Sequence, residues 1–210
     1  TAAACSWQAK LVYFPQRELE CTPAIMGMPY EDVVLQAADG VKLHAWFVPA
    51  AGKARGALLY CHGNAGNISH RVELVSVFRK MGLDVLVFDY RGYGRSEGQP
   101  SEGGTYLDAQ AAWDHLVNVR GAKPERIVLF GKSRGGGVAT HLAAEHPPGA
   151  LILQSTFTSI PDVGAEHFWW LPIRLIARIK YPSLKTVPSI KCPVLVVHSR
   201  SDEIIRFRHG

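Results

Sequence analysis

Short apolar runs alternate with helical patterns along this chain, and that alternation constrains its fold more than any other feature. The predicted strands lie at residues 33–35, 43–48, 57–61, 85–88, 127–130, 151–153 and 194–197. The predicted helices between them span residues 69–81, 106–119 and 133–146. Strands that are apolar throughout and separated by helices are typical of a mostly parallel sheet covered on both faces. We therefore expect an α/β fold, with a hairpin at Ala38-Asp39-Gly40 joining the first two strands.

Length and composition exclude several classes of protein. The chain has 210 residues, of which 47% are hydrophobic and 20% charged, which fits one domain with a sizeable core. No apolar run approaches the roughly 18 residues of a membrane span. Four cysteines are too few and too scattered for a disulfide scaffold or a zinc ribbon. The formal charge of +5 is spread among acidic residues, so no nucleic-acid partner is expected.

The sequence is divided into an N-terminal segment and a core. Residues 1–30 are interpreted as an N-terminal extension or anchor stub, and residues 31–210 as the core. Small residues before Cys5 are typical of the tail of a bacterial lipoprotein signal, or of a stub left when an anchor is removed; an arbitrary start is the alternative. A membrane-anchored or exported protein and a cytoplasmic one are therefore both open.

A segment at about residues 155–193 breaks the alternation and is interpreted as a cap insertion. It holds the aromatic run Phe168-Trp169-Trp170-Leu171-Pro172-Ile173, and residues 167–201 carry six Lys or Arg and no acid. We expect the apolar side chains of this run to pack on the body of the domain. The alternative is that part of the segment receives an acyl chain or meets an anionic lipid surface, with Arg174, Arg178 and Lys180 beside it.

The motif Gly131-Lys132-Ser133-Arg134-Gly135 carries the strongest chemical signal. It follows a predicted strand and opens a predicted helix, the context in which a nucleophile elbow lifts a serine hydroxyl above a sheet. The two glycines would allow strand and helix to approach closely. The alternative is a glycine-rich turn in which Ser133 only caps the helix.

The loop after the strand at residues 57–61 offers a partner for that serine. It reads His62-Gly63-Asn64-Ala65-Gly66-Asn67, and small residues there allow a backbone N–H to reach an oxyanion. We expect the two donors to be the N–H groups of Asn64 and Arg134, with Ala65 as the alternative to Asn64. His62 is interpreted as a structural histidine that braces the loop, not as the catalytic base.

Three motifs in this order resemble the α/β-hydrolase superfamily: the loop at residues 62–67, the run Asp-Tyr-Arg-Gly-Tyr-Gly-Arg-Ser at residues 89–96, and the elbow. Within it they are most similar to the BEM46-like, ABHD13/ABHD17-type serine hydrolases, from about residue 11 onward. Lys132 and Arg134 depart from the family, whose members often carry Gln or Arg before the serine and an apolar residue after it. The long Arg134 side chain is expected to point near the site, where it would alter the acyl pocket or favour an anionic substrate.

The resemblance implies a catalytic acid after the seventh strand, at Asp202, with Glu203 as the alternative. A further alternative is that Asp202 is only a solvated carboxylate of the loop. The family's histidine follows that acid by another helix and strand, on the order of 15 residues or more. Eight residues follow Asp202, so we expect no catalytic histidine in this chain; His209 lies too near Asp202 in sequence, and His167 and His198 are interpreted as structural.

The resemblance implies a serine hydrolase that cleaves a small-molecule carboxylic ester or thioester through an acyl-enzyme on Ser133. No cofactor and no metal are expected, because the chain contains no H-E-x-x-H, no C-x-x-C and no complete phosphate loop. A peptidase of the same fold and a non-catalytic binding domain are the alternatives. A fold that ends on residues 194–197 would also leave an open sheet edge, so a membrane surface and self-association are both considered as partners.

Overall fold

The computed structural model describes the backbone of residues 2–210 and the side chains from Trp7 onward. The helices are α1 (Ala2–Val12), α2 (Val72–Lys80), α3 (Glu102–Asp114), α4 (Arg134–Glu145), α5 (Ile160–His167), α6 (Ile173–Ile176) and α7 (Ser183–Thr186). The strands are β1 (Phe14–Pro15), β2 (Glu31–Gln36), β3 (Lys42–Val48), β4 (Gly56–Cys61), β5 (Ala65–Gly66), β6 (Leu83–Phe88), β7 (Ile127–Lys132), β8 (Ala150–Gln154) and β9 (Val194–Val197).

Seven of the described strands form one sheet in the order β2-β3-β6-β4-β7-β8-β9. β2 pairs antiparallel with β3, and β3 pairs antiparallel with β6. From β6 to β9 every pairing is parallel, so the carboxyl ends of five strands meet at one edge. Ligand sites of open α/β sheets lie at that edge. All seven predicted strands and the mostly parallel sheet are confirmed.

Apolar side chains cover both faces of this sheet. One core cluster joins β4, β6 and β7 to α3 and α4, through residues such as Leu59, Trp113 and Leu142. A second cluster packs α2 on the opposite face, through Val75 and Phe78. Strands sandwiched in this way need apolar residues on both sides, which explains why β4 and β6 are continuous apolar runs rather than alternating ones.

Several element boundaries differ from the sequence-based expectation. The helix predicted at residues 69–81 begins with a 3-10 turn, Ile68–Arg71, before α2. The helix predicted at 106–119 starts earlier, at Ser101, whose hydroxyl accepts a hydrogen bond from the Gly104 N–H. Helix α1 and the two-residue pairing of β1 with β5 had no counterpart in the prediction. Within the described residues no helix combines the length and apolarity needed to cross a bilayer.

Four apolar side chains of the aromatic run are exposed, so the expectation that the run packs on the body is wrong for these, whereas Ile173 is half-buried. Trp169 is 80% exposed, Trp170 61%, Phe168 49% and Leu171 44%. The rings instead contact one another, since the Trp169 and Trp170 centroids lie 5.9 Å apart. The turn between α5 and α6 is closed by local backbone bonds, such as Leu171 N–H to Phe168 O at 2.9 Å. This local closure turns the aromatic groups away from the sheet.

Candidate active site

Ser133 occupies a sharp turn between β7 and α4. Its backbone has φ 52° and ψ −123°, a conformation that residues other than glycine rarely adopt. Its N–H donates to the Gln154 carbonyl of the neighbouring strand β8 at 2.9 Å, and its carbonyl accepts from Gly136 N–H at 2.9 Å. A strained residue held by bonds on both sides is typical of a functional position. The strand before and the helix after Ser133 match the predicted elbow.

Close backbone packing explains why glycines flank the serine. A Cβ added at Gly131 would lie 2.6 Å from the Gly136 Cα, and one added at Gly135 would overlap the carbonyl oxygens of Cys61 and His62. The expectation that larger side chains would collide at this strand–helix junction is therefore confirmed. Gly135 lies against the end of β4, so the elbow and the loop after β4 are in direct contact.

The loop after β4 lies beside Ser133. A Cβ added at Gly63 would be 3.6 Å from the Ser133 Cβ, which puts the neighbouring Asn64 next to the elbow. His62 is fully buried, and its Nδ1–H donates to the Gly63 carbonyl at 2.7 Å. Burial, reinforced by the charges of Arg71 and Arg134, lowers the pKa of His62 well below its usual range. His62 is a neutral side chain inside the loop, as expected for a brace.

Asp89, from the second of the three sequence motifs, fixes the far end of the same loop. Its carboxylate is fully buried, and Oδ1 accepts a hydrogen bond from the Ile68 N–H at 2.9 Å. The Nε2 atom of His62 lies 3.6 Å from Oδ1, too far for a strong hydrogen bond. The loop that carries Asn64 is thus anchored at both ends on the carboxyl edge of the sheet.

Arg134 lies at the site, as expected, but its side chain is buried rather than exposed to a ligand. Its side chain is buried, only 2% exposed, with the guanidinium carbon 4.3 Å from the Tyr90 ring centroid. The rings of Tyr13 and Tyr93 lie at 5.2 and 5.4 Å. The burial of Arg134 depends on residues that are distant in sequence, because three tyrosines from separate segments enclose the cation. Of the two effects expected of Arg134, its burial argues against a preference for an anionic substrate, whereas an effect on the acyl pocket, which Arg134 lines, stays a prediction.

Asp202 lies in the loop after β9 and is held as an ionised carboxylate. Its Oδ1 accepts hydrogen bonds from Ile204 N–H at 3.0 Å and Ile205 N–H at 2.9 Å. Burial opposes ionisation, but these backbone donors outweigh it and lower the pKa of Asp202. Glu203, the alternative acid, is exposed. An ionised, oriented carboxylate is what a triad acid requires.

The histidines of the described region have other partners. His198 Nε2–H donates to the Ile205 carbonyl at 2.7 Å and lies 3.7 Å from Asp202 Oδ2. His167 bonds the Ile204 carbonyl at 3.0 Å, and His209 contacts Thr158 Oγ1 at 2.9 Å. Within residues 7–210, no hydrogen bond joins a histidine to the Ser133 hydroxyl.

A cavity of about 340 Å³ opens above the elbow. Asn64, Ser133 and Arg134 form its floor, and Asp202 lies just outside it, next to the lining residues Ile204 and Ile205. The remaining walls are mostly apolar: Trp7, Leu11, Val12, Phe157, Ile160, Val163, Phe168, Ile173, Ile176, Ala177 and Ile179, with Gln8, Gly164 and His167. The wall from α1 was missed by the sequence analysis, which treated residues 1–30 as an extension.

This combination of a doubly covered parallel sheet and a strained serine at its carboxyl edge defines a hydrolase of the α/β-hydrolase class. The family described as Hydrolase_4, serine aminopeptidase S33, matches residues 52–187. Protein bem46 of Schizosaccharomyces pombe is 37% identical over 213 residues, covering 95% of this chain and 71% of that protein. The chain belongs to this α/β-hydrolase family and is BEM46-like.

Two further proteins are similar to this chain. Lysophosphatidylserine lipase ABHD12 of Danio rerio is 34% identical over 227 residues, covering 90% of this chain and 59% of that protein. The solved esterase Pf2001 of Pyrococcus furiosus superposes with a TM-score of 0.76 at 25% identity, covering 94% of this chain and 80% of that chain.

Proposed function

We propose that this protein hydrolyses a carboxylic ester or thioester through an acyl-enzyme on Ser133. The Ser133 oxygen attacks the acyl carbon while a histidine accepts its proton, and the carbonyl oxygen becomes an oxyanion. The backbone N–H groups of Asn64 and Arg134 stabilise that oxyanion. The histidine then protonates the leaving alcohol or thiol, and water releases the acid and regenerates Ser133. The observation that carries the proposal is the strained Ser133 at the floor of the apolar cavity.

In this proposal Asp202 orients the histidine. Its carboxylate is ionised and held by two backbone N–H groups, so it can stabilise an imidazolium without becoming protonated. We assign the base to none of the described histidines, because no hydrogen bond joins any of them to the Ser133 hydroxyl.

The apolar cavity suits an acyl chain. Its volume is at the lower end of small-molecule sites, and each methylene buried there contributes about 0.8 kcal/mol. Across p-nitrophenyl esters of increasing chain length, KM is therefore expected to fall about fourfold per methylene until the cavity is full. A relative named as a lipase and a structure named as an esterase support an ester over an amide.

A peptidase is the second candidate, because the matching family is described as a serine aminopeptidase. An aminopeptidase must bind a protonated amino group, which needs a carboxylate nearby. Among the described residues that line the cavity, none is Asp or Glu. Release of p-nitrophenol from esters without release of p-nitroaniline from aminoacyl anilides would support the esterase; the reverse result would support the peptidase.

The test of the nucleophile uses Ser133→Ala with Ser189→Ala as its matched control. Ser189 is exposed, and its hydroxyl donates to the Thr186 carbonyl at 2.7 Å. It is not part of the elbow. We expect Ser133→Ala to lose both ester hydrolysis and labelling by a fluorophosphonate probe, while Ser189→Ala keeps both. Hydrolysis and labelling that persist in Ser133→Ala would refute the proposal.

Exposed apolar side chains of the insertion and of α1 support a membrane surface as a partner. Trp169, Leu175 and Trp7 are 80%, 87% and 51% exposed, and cations of the same segment flank them. Aromatic groups beside cations suit the interface of an anionic bilayer. The triple change Arg174→Glu, Arg178→Glu and Lys180→Glu is expected to reduce co-sedimentation with phosphatidylglycerol vesicles but not with phosphatidylcholine vesicles. Unchanged co-sedimentation with the anionic vesicles would exclude the electrostatic contribution.

The open edge of β9 supports self-association. β9 pairs with β8 on one side and is the last strand in the order of the sheet. Its side chains are 39 to 55% exposed although all four are apolar. An apolar strand with a free row of backbone N–H and C=O groups is a template for pairing with another copy.

A further inference from the structure

Arg134 is a buried cation without a buried anion. Its side chain forms no ion pair in the part of the chain that the structure describes, and both terminal nitrogens lack hydrogen-bond acceptors. A guanidinium remains charged in proteins, so burying it unpaired is costly. The faces of Tyr90, Tyr13 and Tyr93 offset part of that cost. A buried guanidinium without an ion-pair partner is therefore expected to have a function.

The polar contact of Arg134 leads directly to the loop after β4. Its Nε–H donates to the side-chain oxygen of Asn64 at 3.3 Å. The hydroxyl of Tyr93 donates to the same oxygen at 3.0 Å. Asn64 is therefore held by two donors, one from the elbow and one from the segment after β6. Both contacts leave the backbone N–H of Asn64 free for a ligand.

Arg134 thus contributes to the site twice. Its backbone N–H follows the nucleophile at the start of α4, and its side chain reaches across to the residue on the opposite side of Ser133. The tyrosines prevent the guanidinium from swinging away, because they enclose it on several sides. Distance errors of about 1 Å between reacting groups can cost about 100-fold in rate, so a fixed spacing between two donors has catalytic value.

We propose that Arg134 is a positioning residue whose guanidinium, caged by Tyr13, Tyr90 and Tyr93, sets the spacing between the two oxyanion donors by holding the Asn64 side chain. This inference rests on the proposed function of Ser133, Asn64 and Arg134. It assigns the departure from the family pattern at position 134 a role in transition-state binding rather than in the recognition of a substrate anion.

The kinetic test is a double-mutant cycle. Arg134→Met and Asn64→Ala each remove the side-chain contact and keep the backbone N–H. Each is expected to lower kcat about tenfold to 100-fold with little change in KM, because the contact acts only on the transition state. The double variant is expected to lose no more than either single one. Multiplicative losses, or a change confined to KM, would overturn the proposal.

Two further variants separate geometry from charge and from general destabilisation. Arg134→Lys keeps the charge but not the fixed Nε–H, and it is expected to remain impaired. Full activity in Arg134→Lys would assign the effect to charge and overturn the positioning role. Arg120→Met is the matched control, since Arg120 also stacks on a ring, 4.0 Å from the Phe47 centroid, outside the site. It is expected to retain wild-type kcat.

A readout that needs no activity distinguishes this inference from the proposed function. Amide hydrogen exchange of residues 62–67 is expected to accelerate in Arg134→Met and in Asn64→Ala, and to stay unchanged in Arg120→Met. Unchanged exchange in Arg134→Met would overturn the inference and leave the nucleophile assignment standing. Failure of the Ser133→Ala test would instead overturn the proposed function and leave the structural coupling between Arg134 and the loop intact.

Discussion

The contact between the elbow and the end of β4 predicts a large effect from a single methyl group. In Gly135→Ala the new Cβ would overlap the carbonyl oxygens of Cys61 and His62, and backbone atoms cannot rotate away as a side chain does. We expect a cost of about 3 kcal/mol from this overpacking. About 1 kcal/mol returns because alanine favours the helix α4 over glycine. The net loss is about 2 kcal/mol, which lowers the Tm of a chain of this size by about 4–8 °C.

Gly103→Ala is the matched control for this prediction. Gly103 lies in α3, is exposed, and has no atom within 4 Å of an added Cβ. This substitution is expected to stabilise the chain by about 0.4–1 kcal/mol. The assay is thermal unfolding followed by circular dichroism, with ester hydrolysis measured on the same samples. Gly135→Ala is expected to lose activity beyond its loss of stability, because the overlap displaces the loop that carries Asn64. Equal or higher Tm in Gly135→Ala than in the wild type would refute the reasoning.

The 210-residue chain is expected to hydrolyse p-nitrophenyl acetate about 10⁴ to 10⁶ times more slowly than an intact triad, because no described histidine bonds Ser133; an enzyme-like rate abolished by Ser133→Ala would contradict this. Amides of β9 are expected to exchange faster than those of β7, unless copies associate at high concentration; slow exchange in a monomer would show that the edge is covered. Asp202→Asn tests the lowered pKa of that carboxyl. Its ionised form stabilises the fold above the unfolded value of about 3.9, and the stabilisation is lost as pH falls through the folded pKa. The Tm difference from the wild type is therefore expected to be largest above pH 5 and to shrink towards pH 2; a difference that grows in acid would contradict it.

Local patterns were sufficient to predict the sheet and the elbow. β4, β6 and β7 are buried on both faces, so their apolar runs are continuous and easily recognised. The turn at Ser133 is also a local feature, because flanking glycines are required wherever strand and helix pack this closely. For these elements the chain carries the necessary information within a few residues.

Features that depend on distant segments could not be predicted in this way. The burial of Arg134 requires Tyr13 and Tyr90 to converge on it, and no local pattern announces that. The aromatic run 168–171 looks like core material by composition, yet its turn is closed on itself and faces outward. Helix α1 was missed because its apolar residues do not form a clear stripe, and its role comes from the cavity it borders.

The wall that α1 contributes changes how this protein should be handled. Gln8 donates to the Ile176 carbonyl at 3.0 Å and accepts from the Arg178 N–H at 3.0 Å, so α1 is fastened to the insertion across nearly the whole chain. Trp7 and Leu11 from the same helix face the cavity. A purification tag or a deletion within α1 is therefore expected to alter the cavity proposed to receive the substrate. Two preparations that differ only in their first dozen residues are expected to rank the same ester substrates differently.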